Sequence, residues 1–464
     1  MGLAQQEFKL RPYQQEDVDK LWQLSAAACF NEQRTGKTPT ALGIVKKKQV
    51  SKVVIICPAS AIYGWKEEYI KWLDKPCVAV AGTKQQKHKA IEEWEHGCVI
   101  SYDSLKSTAN STGFIKEILK AKPDMVILDE AHRIKSRTTA TASACFTLSR
   151  KIPNKLVLTG TPAPGRAEDI WSILHFLFPK EYTSYWQWVY DFCRVTNKIN
   201  YSTGRQYTEI NGIKPNKVSE LNKCLTKFST LRKRKDVMQW LPDKTYECIK
   251  LELNSKQKKY IKELEEYFEI EGTDVISKGV LDNLIRMRQV CNDPNILGLE
   301  GKSPKTDWLK QYIKDYPDEP TLVFSNFTSY LERLAKEIPN SRLIIGKTPV
   351  KERHQICKDF QNGKINLLLI NIKAGKEALT LDRATTSIFT DVYPPIGDIL
   401  QAEDRFVATT EASKDKGHKV VRLVMAGSYE ENILKLLNSR KAETDVINDY
   451  KNYLQRRKKN GNTN

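Results

Sequence analysis

Several features are missing from this chain, and each absence excludes something. No apolar run approaches the roughly 18 residues that cross a bilayer as a helix. The opening Met1-Gly2-Leu3-Ala4-Gln5-Gln6-Glu7 has neither the basic start nor the apolar core of a secretion signal. Cysteine pairs are missing too: the 10 cysteines are scattered singly, none forms Cys-x-x-Cys, and the 6 histidines do not cluster near them. A zinc site is therefore not expected, and the thiols are expected reduced in a cytosol-like compartment, bacterial or phage-infected, or in a nucleus. Acidic residues fall short of basic ones, 56 Asp+Glu against 75 Lys+Arg, giving a net charge of +19. Such an excess suggests a polyanionic partner, most simply nucleic acid, although a lysine-rich solvated surface produces the same balance.

What is present centres on Met125-Val126-Ile127-Leu128-Asp129-Glu130-Ala131-His132. Four apolar residues read as a buried strand, and two carboxylates follow at its C-terminal end, where ligands bind in open α/β sheets. Asp129 suits a Mg²⁺ ion held through water, and Glu130 suits the activation of a water attacking a γ-phosphate. Asp-Glu alone is more simply a surface turn. Its weight comes from a second stretch, Asn31-Glu32-Gln33-Arg34-Thr35-Gly36-Lys37-Thr38, which opens a helical pattern. Gly36 permits a tight turn of N–H groups onto phosphate, Lys37 supplies a point charge, and Thr38 offers a hydroxyl to the metal. Asn31 stands where a P-loop usually has its first glycine. Together the two stretches point to an ATPase of RecA-like kind.

Strand and helix patterns alternate up to Thr159-Gly160-Thr161-Pro162. The strands include Val53–Cys57, a strand ending at Ser101 and Leu156–Leu158. Ser60, Ser101 and Ser104 are each candidate helix caps, and caps facing a groove also hold nucleic-acid phosphates. The rhythm breaks near Pro179. Val195–Ile213 reads as a polar hairpin with Tyr201 and Tyr207 near its tip, and the basic cluster Leu231-Arg232-Lys233-Arg234-Lys235 follows. Helical segments are expected at 255–269 and 278–290. A second α/β series then runs through Thr321–Ser325, Arg342–Ile345, Asn366–Ile370, Ser387–Asp391 and Lys419–Val424. The expected organisation is a first lobe at 1–180, an insertion at 181–240, a helical linker at 241–300, a second lobe at 301–450 and a basic tail at 451–464.

The motifs, in order, resemble the motor of superfamily-2 helicases, and specifically its SNF2-like branch, in a minimal form similar to phage or bacterial members. Leu10-Arg11-Pro12-Tyr13-Gln14 resembles the Q motif, Gly36-Lys37-Thr38 motif I, Cys57-Pro58-Ala59-Ser60 with Trp65 motif Ia, and Asp129-Glu130-Ala131-His132 motif II. Thr159-Gly160-Thr161-Pro162 resembles motif III and differs from the Ser-Ala-Thr of DEAD-type RNA helicases. Val323-Phe324-Ser325-Asn326-Phe327 is similar to motif IV, Leu379-Thr380-Leu381 to part of motif V, and Gln401-Ala402-Glu403-Asp404-Arg405 to motif VI. Four departures stand out: Arg34, Lys376 and Ala378 replace usual glycines, and Ala408 occupies the place of a second motif VI arginine.

The resemblance implies two RecA-like parallel-sheet lobes with helical and hairpin insertions between them, ATP and Mg²⁺ as cofactors, and DNA as partner to a monomer. By the same resemblance Arg11, Gln14, Arg34, Thr35, Gly36, Lys37 and Thr38 bind nucleotide, and Thr38 and Asp129 hold the metal. Glu130, Lys37, Arg405 and Gln401 act in catalysis, with Arg405 as arginine finger. His132, Thr159 and Thr161 relay nucleotide state, while Ser60, Ser101, Ser104, Ser325, Asn326, Thr380, Tyr201 and Tyr207 touch DNA. The implied activity is ATP-driven translocation on, or unwinding of, forked or branched DNA in replication, recombination or repair. A nucleotide-gated DNA-binding protein with weak ATPase, motivated by Ala408, and an RNA helicase are the alternatives.

Overall fold

The computed structural model describes residues 9–106, 113–160, 167–199, 204–238, 244–375, 381–391 and 417–438. It divides into two units, Met1–Gln239 and Trp240–Asn464.

In the first unit the strands are β1 (Ala26–Cys29), β2 (Val53–Cys57), β3 (Cys77–Val80), β4 (Gly97–Ser101), β5 (Met125–Asp129), β6 (Asn154–Leu158), β7 (Cys193–Ile199), β8 (Gln206–Ile213) and β9 (Ser229–Thr230). All but β7 and β8 form one parallel sheet in the order β3-β4-β2-β5-β6-β1-β9. Every residue of β1, β2 and β4 is buried, so both faces of the sheet are covered, as parallel sheets require. On one face Val54, Ile56, Val126, Leu128 and Val157 pack with Trp171, Leu174 and Phe176. The helices that frame the site are α1 (Pro12–Leu21), α2 (Lys37–Lys48) and α3 (Ile62–Leu73). Pro12 starts α1 at a position where its missing N–H costs nothing. Gly43 lets α2 approach α1 closely, since a Cβ there would meet Val18 at 2.9 Å.

Of the stretch 181–240, expected as an insertion, residues 181–239 fall in the first unit. Strands β7 and β8 form an antiparallel hairpin of their own, and Val195, Ile210 and Ile213 pack against the lobe's core. The helix Pro215–Phe228 then returns the chain to the sheet, where β9 pairs with β1.

The second unit holds β10 (Lys244–Glu252), β11 (Thr321–Ser325), β12 (Ser341–Ile344), β13 (Leu367–Asn371), β14 (Thr386–Phe389) and β15 (His418–Ala426) in one parallel sheet, ordered β10-β15-β14-β11-β13-β12. The helices Ser255–Tyr267 and Val280–Asn292 pack around Leu264, Met287 and Val290 against Met425, Tyr429 and Ile433. Two fully buried charge pairs brace this unit. Lys305 donates to Glu430 at 2.7 Å, and Arg288 donates to both oxygens of Asp391 at 3.1 and 2.6 Å.

All 10 cysteines are free thiols, and burial pushes Cys29 up to about 11 and Cys77 up to about 12, leaving both unreactive. Among the described residues no helix is long and apolar enough to cross a membrane, and no group of three His, Cys, Asp or Glu side chains could hold a metal.

Candidate nucleotide site

The site grows from the loop between β1 and α2. Gly36 caps α2 at φ 77°, a left-handed conformation that glycine adopts freely. Its missing side chain also makes room, because a Cβ there would lie 2.1 Å from Gln14 Nε2. Gln14 is buried, and both ends of its amide are engaged. Its Oε1 accepts from Arg11 N at 2.9 Å, closing the start of α1, and its Nε2 donates to Thr35 O at 3.2 Å. The Tyr13 hydroxyl donates to the same carbonyl at 2.8 Å, and burial raises its phenol above the ordinary value, so it remains a neutral donor. In this structure, then, Gln14 holds the phosphate-loop backbone.

Thr35 is fully buried, its hydroxyl donating to Glu32 O at 2.8 Å. Arg34 sits at φ 67°, which explains why a glycine is usual there: only a residue without Cβ adopts this conformation without strain. The Lys37 ammonium folds back onto Asn31 O at 3.0 Å and Glu32 O at 3.1 Å. Thr38 is half-buried in the first turn of α2.

β6 lies between β1 and β5, so the loop and the paired carboxylates open from the same end of one sheet. Asp129 is held from two sides: Oδ2 accepts from Trp65 Nε1 at 2.8 Å, and Oδ1 accepts from Glu130 N at 3.0 Å. Glu130 itself is left-handed at φ 51°. Its Oε2 lies 3.4 Å from His132 Nδ1, and the same nitrogen lies 3.4 Å from Thr159 Oγ1. Thr159 in turn donates its N–H to Cys29 O at 3.1 Å, at the end of the strand that feeds the phosphate loop. Gly160 presses against that loop as well, its would-be Cβ 3.3 Å from Gln33 N. Glu130, His132 and Thr159 therefore form a chain of side chains running from the carboxylates back toward the nucleotide loop. The donor set suits Mg²⁺: hard oxygens from Asp129 and Thr38, few in number, leaving the remaining positions to water and phosphate.

The candidate DNA residues are placed unevenly. Ser101 caps a short helix at Tyr102–Leu105 and shares a hydrogen bond with Ser104 at 3.0 Å, while Lys87 Nζ donates to Ser104 Oγ at 2.9 Å. Ser60 is buried, and its hydroxyl has no partner among the described residues. Ser325 is fully buried, taking the Phe327 N–H at 3.2 Å, and Asn326 Nδ2 donates to Asp391 at 2.7 Å. Tyr207 is 48% exposed on the hairpin. Thr161, Tyr201, Thr380, Gln401 and Arg405 lie outside the described residues, as do Lys376, Ala378 and Ala408.

Trp65, Tyr13 and Asp17 hold the site without having been singled out for those contacts. Trp65 stood in a recognisable motif, but nothing in its spacing says that its indole reaches a carboxylate one strand away.

A parallel sheet carrying a phosphate-type loop and a strand-terminal Asp-Glu pair, followed in the chain by a second parallel sheet, defines a helicase-type motor core. A family model described as SNF2-related domain matches residues 13–296, more than half the chain, and a helicase conserved C-terminal domain matches residues 304–407. The chain belongs to the SNF2-related family of helicases. It is 25% identical over 466 residues to the DNA annealing helicase and endonuclease ZRANB3 of Bos taurus, covering 96% of this chain and 41% of that protein. It is 26% identical over 451 residues to the nuclear protein STH1/NPS1 of Saccharomyces cerevisiae, covering 87% of this chain and 32% of that protein. The chain thus spans about two fifths or less of these relatives' lengths. A Sulfolobus solfataricus SWI2/SNF2 ATPase core in complex with dsDNA also matches, with a TM-score of 0.44 and 23% identity over 93% of this chain and 91% of that one.

Proposed function

We propose that this protein is a DNA-dependent ATPase that couples ATP hydrolysis to movement on DNA, acting on forked or branched DNA in replication, recombination or repair. The observation that carries the reading is the convergence of Gln14, Thr35, Gly36 and Lys37 with Asp129, Glu130, His132 and Thr159 at one end of one sheet. The relative named as a DNA annealing helicase supports DNA over RNA as the partner.

In this proposal Lys37 leaves its two carbonyl partners for phosphate oxygens, since an anionic phosphate attracts the ammonium with full charge where a carbonyl offers only a dipole. Glu130 takes the proton of the attacking water, and His132, lying against its carboxylate, orients it and passes the change to Thr159. Asp129, fixed by Trp65, and Thr38 would hold Mg²⁺, which when bound neutralises phosphate charge. Arg405 is proposed to offset charge on the transferring phosphoryl group, with Gln401 beside it in sequence. Arg11 and Gln14 shape the nucleotide pocket through the loop backbone.

DNA is proposed to be gripped through phosphates, with Ser60, Ser101, Ser104, Ser325, Asn326 and Thr380 as candidates and the +19 charge as attraction. Ser60, whose hydroxyl has no partner among the described residues, is the foremost of these. A second reading, a nucleotide-gated DNA binder that hydrolyses little, rests on Ala408 replacing a cation. ATP turnover and strand separation measured on single strands, blunt duplex, forks and four-way junctions decide between them. The motor reading expects DNA-stimulated turnover that is greatest on forks or junctions; turnover indifferent to every DNA sinks it.

A further inference from the structure

One member of the basic cluster after the hairpin is committed to contacts with α1. Arg232 Nε donates to Asp17 Oδ1 at 2.9 Å, and its second nitrogen donates to Glu16 at 2.9 Å. Asp17, on α1, is fully buried, and its other oxygen accepts from Asn31 Nδ2 at 2.7 Å. Asn31 is also fully buried and belongs to the phosphate loop, where its carbonyl receives the Lys37 ammonium. The backbone follows the same line. Phe30 N donates to Thr230 O at 2.8 Å, Glu32 N donates to Arg232 O at 2.9 Å, and Arg234 N donates to Glu32 Oε2 at 2.7 Å.

We propose that Asp17 and Arg232 are positioning residues for nucleotide binding: a brace, buried at Asp17 and half-buried at Arg232, that fixes Asn31, and through it the loop carrying Lys37, to the segment following the helix Pro215–Phe228. This rests on the ATPase reading above and extends it to residues outside every motif of the nucleotide site. An ionised carboxylate only accepts hydrogen bonds, so Asp17 dictates that the amide nitrogen of Asn31 faces it. The amide oxygen is thereby turned the other way, where it has no partner among the described residues. Without Arg232, Asp17 would be a buried charge with only an amide beside it, a situation that forces local rearrangement. That rearrangement releases Asn31. The carbonyl that parks Lys37 moves with it. A rearrangement of the insertion reaches the nucleotide loop by the same path, because β9 and Arg232 directly follow the helix Pro215–Phe228.

The test measures binding of a non-hydrolysable ATP analogue, steady-state KM and kcat for ATP with duplex DNA, and the thermal midpoint, on the full chain. The variants are Arg232→Met, Arg232→Lys and Asp17→Asn. The brace predicts that Arg232→Met and Asp17→Asn weaken analogue binding and raise KM by about 10-fold, the equivalent of ~1.4 kcal/mol, while kcat changes by less than about 3-fold. Arg232→Lys, which keeps the charge but not the fork, recovers about half of the loss on a logarithmic scale. A lowered thermal midpoint with analogue affinity within about 2-fold of wild type would overturn the proposal, leaving a contact that stabilises the fold alone. Should Arg232→Met fail to fold, Asp17→Asn carries the same measurement; failure of both to fold likewise overturns the positioning role. A wild-type chain that binds no analogue overturns the ATPase reading as well, and that outcome is visible before any substitution is made.

Discussion

Replacing Gly36 by alanine should damage nucleotide binding for two separable reasons. The backbone there sits at φ 77°, and the left-handed conformation costs an L-residue roughly 1–2 kcal/mol. The new methyl would also stand 2.1 Å from Gln14 Nε2, so the amide must withdraw from Thr35 O, a hydrogen bond worth about 0.5–1.5 kcal/mol net. Together these come to roughly 1.5–3.5 kcal/mol, or about 10- to 300-fold in affinity. The assay is a titration with a fluorescent, non-hydrolysable ATP analogue on wild type, Gly36→Ala, Gln14→Ala and the double variant. With Gln14 already truncated, the methyl meets no amide, so Gly36→Ala should then cost only its backbone share. The cycle should show a coupling of about 0.5–1.5 kcal/mol. Strict additivity would refute the idea that Gln14 is what requires glycine, and wild-type affinity in Gly36→Ala would refute the phosphate loop itself.

Three further outcomes are expected. Arg34→Gly relieves strain at φ 67° but adds freedom to the unfolded chain, so stability should rise by about 0.5 kcal/mol, read as a thermal midpoint ~1–2 °C higher; a fall of that size contradicts the strain argument. His418 is buried with Nδ1 against Ala384 O at 3.2 Å and Nε2 against Ser387 Oγ at 3.0 Å, and burial lowers it from 6.5 to about 4. Because the folded form resists protonation, its contribution is intact above about pH 6.5 and is lost as pH falls toward 4, to a total of ~3 kcal/mol. Urea melts at stepped pH should show that loss and its absence in His418→Asn. Substituting both Tyr201 and Tyr207 by alanine should spare DNA-stimulated ATP turnover yet reduce fork unwinding at least about 10-fold, if these rings stack on bases at a junction; unwinding at the wild-type rate would return the hairpin to a packing role.

The legible parts of this molecule were those where burial and chemistry coincide. Continuous apolar runs such as Val53–Cys57 and Met125–Leu128 announce buried parallel strands, and Thr321–Ser325 was readable to the residue. β1 was not, since Ala26-Ala27-Ala28-Cys29 has little β-propensity and becomes a strand only because neighbours on both sides pair with it. β10 was equally silent: an edge strand whose Thr245, Tyr246, Glu247 and Cys248 are exposed, with only Ile249 and Leu251 packed on the core, carries a weak apolar signature. At the site, local motifs point to Lys37, Asp129 and Glu130, while the contacts around them come from far along the chain. Trp65 reaches Asp129, and Arg232 reaches Asp17 across 215 positions. Pairings of that kind are decided by tertiary packing. The capping role of Ser101 was the simplest reading of its sequence, and it is the contact the structure contains.

The central claim is that Glu130 activates water against a triphosphate held by the Gly36–Lys37 loop. The most direct measurement is phosphate release from ATP by Glu130→Gln in the presence of duplex DNA, with analogue affinity measured on the same preparation. The account predicts turnover lowered by about 10²- to 10⁴-fold, the usual contribution of a general base, with analogue affinity retained. Turnover at the wild-type rate, with the nucleotide bound as before, would contradict it.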